Sequence, residues 1–491
     1  MQSMDLWDFE IWKFILYLSV IFVSILLGNI LRRKIKFIKN SLLPASVIAG
    51  LIVFLIKFIP PIANYFEAES LHAQQVFEQT NETVKLITFH SFMESVTYHC
   101  LGLGFIAVSM KSAPKQKDSN KLVIMDSGIV TVNGYLVQAI CGLGLTIVCS
   151  LTFMKDLFPA AGLLLPMGFG QGTGQALNIG KVFESLGFEG GPAFGLSIAA
   201  VGFLVACIVG VIYMNILRAK GKLKLQEQRI EKAKNLPSNI YGDDETPLGE
   251  AVDKMTIQFG VIVLIYAVTC AVMFGLSWLA VNYLGDFGVN TIRPLVFGFN
   301  FLFGTVFAML AKKIMSSFKK GKIMRYTHVN NHLMDRLSGL FFDAMVVAGI
   351  AAIDWQNLGD GLWLPLVIVC VVGAVVTFFY VLFICRKVYP EYPYEAFFSY
   401  FGMLTGTAST GMILLRELDP NLETPAANNL VMQQIPAIAF GAPILLLIPF
   451  AGKSFDNSLL VLGICVVLFV VYNVILLRKF IFKKKNKLPK E

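Results

Sequence analysis

Two glycine-rich, uncharged stretches carry the residues best suited to hold a small ligand. The first reads Gly168-Phe169-Gly170-Gln171-Gly172-Thr173-Gly174 and runs on into Gln175; the second reads Gly402-Met403-Leu404-Thr405-Gly406-Thr407-Ala408-Ser409-Thr410-Gly411. Glycine lets a backbone turn with φ > 0 and lets a ligand approach it closely. A helix that restarts after such a turn points its free N–H groups and positive dipole end at the turn. That geometry binds carboxylates without a buried Arg or Lys. Thr173, Thr407, Ser409 and Thr410 add hydroxyls, and Gln171 and Gln175 add amides. The candidate substrate-binding set is therefore Gly170 to Gln175 together with Gly406, Thr407, Ala408, Ser409 and Thr410. The same turned backbone frees carbonyls for a coupling cation such as Na+. Close packing through small residues is the plain alternative, but two such runs at matching places in the two halves favour a site.

Asp343 sits in an otherwise apolar run, Phe341-Phe342-Asp343-Ala344-Met345. A carboxylate at membrane depth costs at least ~2.5 kcal/mol on insertion scales, so by default it marks function. It reads as a cation ligand or proton carrier, with a structural hydrogen bond as the alternative. Asn428, Asn429, Gln433 and Gln434 are spaced to share roughly one helix face. Asn428, Asn429 and Gln433 join Asp343 as candidate Na+ ligands, or bond between helices. His90 and Glu94 also share a face, a spacing that suits an ion pair, a metal pair or a proton relay. No third ligand is evident beside them, and with His99 they read as a wet interface. Arg416 reads as a snorkelling or paired charge beside Glu417 and Asp419, or as a contact for an acidic substrate. The eight cysteines show no CxxC or Cys/His spacing and read as small buried hydrophobes. No nucleophile–base pair or nucleotide loop appears, so enzyme chemistry is not expected.

The elements that must position these residues follow from composition. Hydrophobic residues make up 56% of the 491 and charged residues 15%, against about 25% charged in a soluble domain; mean hydropathy is +0.68. This is a polytopic membrane protein, all-α by expectation. Apolar runs long enough to span are Phe14–Leu31, Ser127–Met154, Gly190–Leu217, Met255–Gly285, Gly361–Cys385, Thr424–Gly452 and Asn457–Leu477. Weaker ones are Leu42–Ile59, Val84–Met110, Pro294–Ala311 and Leu333–Ile353. Together they predict about eleven crossings. The net charge of +9 lies in short Lys/Arg clusters at the ends of these runs. That pattern argues against a nucleic-acid groove and predicts the N-terminus outside and the C-terminus inside. The stretch Glu395–Leu418 is long enough for two half-bilayer arms of about ten residues each, so both glycine segments read as re-entrant hairpins. An odd number of crossings per half makes the halves inverted repeats. Residues 1–218 form the first repeat, with a hairpin at about 157–188. Residues 219–254 form a cytoplasmic linker, 255–452 the second repeat with a hairpin at about 395–418, and 453–491 an extra span and basic tail.

This arrangement resembles the bacterial sodium/glutamate symporter family over nearly the whole chain. The likeness rests on Leu43-Pro44-Ala45-Ser46-Val47-Ile48-Ala49-Gly50, on Gly170-Gln171-Gly172-Thr173-Gly174 and on the five-plus-five order. It implies Na+-coupled glutamate uptake at the inner membrane, two re-entrant hairpins, and a homodimer with an elevator-like mobile core. No cofactor beyond the coupling ion is implied. The chain departs from the family pattern at Gln171, where His is more usual, and at Gly406-Thr407-Ala408-Ser409, where Gly-Ala-Thr-Pro is common. It departs again at His90, Glu94 and His99 in the third span. Thr407→Val is expected to abolish uptake.

Overall fold

The computed structural model describes residues 9–40, 42–62, 64–65, 69, 87–111, 121–222, 254–320, 329–354, 356–419 and 424–478. Most of the linker expected at 219–254 lies outside the described residues, as do Lys115, Lys117, the loop Phe66–Glu82 apart from Glu69, and the basic tail after Arg478.

Among the described residues every regular element is a helix. A segment surrounded by lipid has to satisfy its own N–H and C=O groups, which helices do and open sheet edges do not. The first half runs α1 (Phe9–Lys34), α2 (Ala45–Ile56), α3 (Phe89–Met110), α4 (Lys121–Leu151), α5 (Thr173–Ser185) and α6 (Gly191–Ala219). The second half opens with α7 (Lys254–Phe287), α8 (Asn300–Lys320), α9 (Asn331–Ala351) and α10 (Gly359–Val388). It continues with α11 (Pro393–Thr405), α12 (Ala408–Arg416), α13 (Ala426–Met432), α14 (Gln434–Ala451) and α15 (Phe455–Leu476). Basic residues close α1 (Arg32, Arg33, Lys34), α6 (Arg218) and α10 (Arg386, Lys387), where they complement the negative end of the helix dipole.

Seven of these helices, α1, α4, α6, α7, α8, α10 and α15, hold a stretch long and apolar enough to cross a membrane. The pair α13–α14 makes an eighth if its two pieces are one span. Leu264 and Phe274 on α7 are each 65% exposed, a surface that suits lipid and not water. The shortfall from about eleven has physical reasons. With 12 residues, α2 reaches only about 18 Å, against a hydrocarbon core of about 30 Å. In α3 and α9 the length suffices, but His90, Glu94 and His99 dilute the first, and Asp335, Arg336 and Asp343 the second. Several of these polar side chains line the two internal cavities described below.

Inside the bundle, glycines bring helices together. A Cβ on Gly104 of α3 would stand 2.6 Å from Phe342 Cε1 of α9, and one on Gly50 of α2 would stand 2.8 Å from Ile350 Cβ. Small residues at such crossings let the backbones close up. A helix that is apolar all round belongs in a core, and α11 is buried from Ala396 to Thr405, with Phe397 against Tyr213 and Phe378.

The run expected as one helix over Thr424–Gly452 is instead α13 and α14, bent by 47° between Met432 and Pro436. Pro436 has no N–H to give Met432, and its ring crowds that carbonyl. The Gln433 N–H still donates to the Asn429 carbonyl at 3.0 Å, so Asn429 and Gln433 keep one helical turn, while Gln434 opens α14 beyond the bend.

At the end of α15, Arg478 grips Asp126 at the start of α4 with both prongs, Nη1–Oδ1 2.7 Å and Nη2–Oδ2 3.0 Å. Lysine lacks that fork. Arg478→Lys is expected to cost about 1 kcal/mol, read as a lower melting temperature in detergent; an unchanged melt would show that the pair adds nothing.

Candidate functional site

Each glycine segment folds as helix, break, helix. In the first, a 3-10 turn (Pro159–Leu163) and a π turn (Pro166–Gly170) lead to a break at Gln171-Gly172, after which α5 begins. Gly172 has φ +81° and ψ −170°, a backbone region essentially closed to other residues. In the second, α11 ends at Thr405 and α12 begins after Gly406-Thr407. Thr407 caps α12, its hydroxyl accepting the Thr410 N–H at 3.5 Å. The arms of this hairpin touch backbone to backbone: a Cβ on Gly402 would lie 2.7 Å from Gly411 Cα.

The two breaks meet. A Cβ placed on Gly172 would stand 3.4 Å from Thr407 Cγ2 and 4.0 Å from the Gly406 carbonyl oxygen. Two helix N-termini, those of α5 and α12, thus start from the same place. Each leaves N–H groups without intrahelical partners. Because that Cβ would meet only an ordinary contact, Gly172→Ala isolates backbone strain. It is expected to lower stability by about 1–3 kcal/mol in a thermal melt; an unshifted melt would show that the turn relaxes freely.

A cavity of about 530 Å³ opens at this junction. Gly170, Gln171, Thr407, Ala408 and Ser409 line it from the breaks, joined by Asp343 of α9 and Ser46 of α2. Gln433 and Gln434, at the α13–α14 bend, complete the polar part of the wall. Gln433 donates to the Leu430 carbonyl at 3.4 Å and approaches Met403 Sδ at 3.1 Å. Its Oε1 has no hydrogen-bond partner among the described residues. Near Val108 of α3, Lys111 pairs with Asp335, and both line the same cavity with Arg416.

Other expected site residues stand behind this wall. Thr173 is buried and donates to the Met345 carbonyl at 3.3 Å, while Gly174 packs its Cα between Leu101 and Met345. Gln175 is 1% exposed and neither of its amide atoms has a partner among the described residues. Gly406 and Thr410 are buried beneath the second tip. Of the four residues expected around a cation, Asp343 and Gln433 face the cavity; Asn428 does not line it, and Asn429 donates to the Tyr392 hydroxyl at 2.9 Å.

Two residues of α4 hold the breaks in place and were not singled out from the sequence. Gln138 is fully buried and donates to the Leu404 carbonyl at 2.7 Å and to Thr377 Oγ1 at 3.0 Å. Tyr135 lines the cavity and donates to the Gly170 carbonyl at 3.4 Å. Tyr135 touches the first hairpin and Gln138 the second, so α4 braces both. A glutamine inside the apolar run Ser127–Met154 was the available signal.

His90, Glu94 and His99 fall at a second cavity, of about 350 Å³, lined by Glu94, His99, Asn178 and Lys181. Glu94 Oε1 lies 2.8 Å from Lys181 Nζ on α5 and 3.3 Å from His90 Nε2. His99 Nδ1 lies 2.7 Å from the Tyr266 hydroxyl. Among the described residues no three His, Cys, Asp or Glu side chains gather as a metal site. No family model matches this chain, and no curated protein matches it either.

Proposed function

We propose that the protein is a cation-coupled secondary transporter that moves a small carboxylate or amino acid across the bacterial inner membrane by alternating access. The observation that carries this reading is the meeting of two glycine helix breaks, one from each half of a membrane chain, on one cavity. Broken helices in corresponding positions of two halves are the pointer to a transporter's midplane site. A carboxylate on the substrate lies against the starts of α5 and α12, held by their N–H groups and by Thr407 and Ser409. The cation lies with Asp343, the Gln433 amide oxygen and carbonyls freed at the breaks. In this reading the halves are inverted repeats of about eleven crossings in all, with the N-terminus outside, and each break is the tip of a re-entrant hairpin. The resemblance supplies Na+ and L-glutamate as the first pair to test, and a homodimer with a moving core as its assembly.

The test is uptake of radiolabelled L-glutamate and other carboxylates into proteoliposomes with and without an inward Na+ gradient. Concentrative, Na+-dependent uptake supports the reading. Asp343 is equally able to carry a proton, which favours H+ coupling as a second version; uptake unchanged when choline replaces Na+ would select it. No concentrative uptake of any carboxylate or amino acid, with no change of stability in Na+, would overturn both.

A further inference from the structure

The main cavity has two unlike ends. One carries polar side chains, Gln171, Thr407, Ser409, Ser46, Asp343 and Gln433, with Lys111, Asp335 and Arg416 beyond them. Gln433 is 2% exposed with its Oε1 unpartnered among the described residues, an acceptor left for a ligand's N–H or for a cation. From this point the cavity follows a single face of α14, through Gln434, Ala437, Gly441, Ile444, Leu445 and Ile448. That spacing of three and four keeps one stripe of the helix on the cavity. Past Gln434 the stripe is wholly apolar, and it extends about 20 Å at 1.5 Å per residue. Leu163 and, from α15, Val461 and Cys465 face it, each 1% exposed.

Charge narrows the ligand further. The charged side chains among the described lining residues are Lys111, Arg416, Asp335 and Asp343, two of each sign. Lys111 is already paired with Asp335, and the other two, Arg416 and Asp343, cancel in net charge. The helix starts serve one carboxylate. A second carboxylate carried along the α14 stripe would meet apolar wall, where an unpaired charge is costly. A compact dianion would also leave most of the roughly 530 Å³ unfilled, and volumes of this order suit larger, largely apolar ligands.

Resting on the transporter reading above, we infer that the site takes an amphipathic monocarboxylate, with its carboxylate at the helix breaks and a bulky apolar body lying along α14. Each methylene buried there is worth about fourfold in affinity.

The experiment is thermal melting of the purified, detergent-solubilised protein in Na+ with a ligand series. L-Leucine and L-phenylalanine carry an ammonium; 4-methylvalerate and 3-phenylpropionate do not; L-glutamate and succinate are the compact dicarboxylate controls. The apolar acids are expected to stabilise the protein at lower concentrations than either control, and the ammonium-bearing pair reads whether Asp343 and Gln433 also take a donor. Tighter or equal binding of L-glutamate or succinate, or no stabilisation by any apolar acid, overturns the inference. Oleate is the lipid arm: stabilisation by oleate alone would assign the apolar end to an acyl chain of the bilayer and overturn it as well. A second measurement uses Gly441. A Cβ there would lie 3.5 Å from Val132 Cγ2, and a larger side chain would fill the stripe. Gly441→Leu should weaken 3-phenylpropionate about tenfold or more, whereas Leu446→Ala, on the 51% exposed outer side of α14, should bind like the parent; equal binding by both variants would remove the ligand from α14. The two readings fail separately. Na+-driven glutamate uptake with no competition from apolar acids leaves the transporter and removes this inference. Apolar-acid binding without uptake of any of the acids does the reverse.

Discussion

Replacing Thr407 with valine is expected to cut uptake at low substrate by about ten- to a hundredfold, short of the abolition that the sequence alone suggests, while leaving the protein expressed and monodisperse. The substitution keeps the methyl group that faces Gly172 and removes only the hydroxyl. As a cap that hydroxyl is weakly placed, 3.5 Å from the Thr410 N–H and 3.4 Å from the Thr410 hydroxyl, so the helix loses about 1 kcal/mol or less. As a cavity group it stands at the start of α12, where a substrate carboxylate would accept its proton. Hydrogen bonds to a charged group contribute about 1.5–3 kcal/mol, which sets the range given. Uptake kinetics and size-exclusion profiles together read the result. Kinetics identical to the parent would take the second tip out of the binding site.

The second large effect belongs to Asp343→Asn. Asparagine keeps the shape and removes the charge, so uptake should no longer respond to a cation gradient. The readout independent of transport is the stabilisation that Na+ confers. At a hundred times its dissociation constant, a bound ion adds about 2.7 kcal/mol, and this increment should vanish in the variant. In the absence of Na+ the variant should melt no lower than the parent, because a carboxylate in the membrane interior is a cost that asparagine lowers. An ordinary structural aspartate would behave the other way, melting lower and still responding to Na+. Retained Na+-driven uptake would exclude Asp343 from coupling.

The helix breaks at the glycine segments were legible because polar, turn-forming residues between long apolar runs are unusual in a membrane chain. Asp343 was legible for the same reason, being an isolated charge in a run of Phe, Ala and Met. What could not be read was which polar groups are spent on neighbours. Asn429 and Gln433 look alike in the sequence, yet one meets Tyr392 and the other leaves an oxygen facing the cavity. That difference follows from Tyr392, which comes near Asn429 only once the chain is folded. The bracing by Gln138 was hidden because its partners, Leu404 and Thr377, lie in the other half. Hydropathy also overstated α2, whose flanking residues are apolar enough to suggest a longer span than its 12 residues make.

Gly172 and Thr407 face each other with room for about one methyl group between them, yet they belong to opposite halves of the chain. At translation rates of about 5–20 residues per second, the first tip leaves the ribosome roughly 10–50 s before the second. Throughout that interval the first break, with its unpaired N–H groups, has no counterpart to close against. The newborn half-protein therefore carries its most polar backbone at the place where lipid tolerates it least. Function and biogenesis thus draw on the same few residues, and a substitution that soothes the waiting half during insertion is one that blunts the finished site.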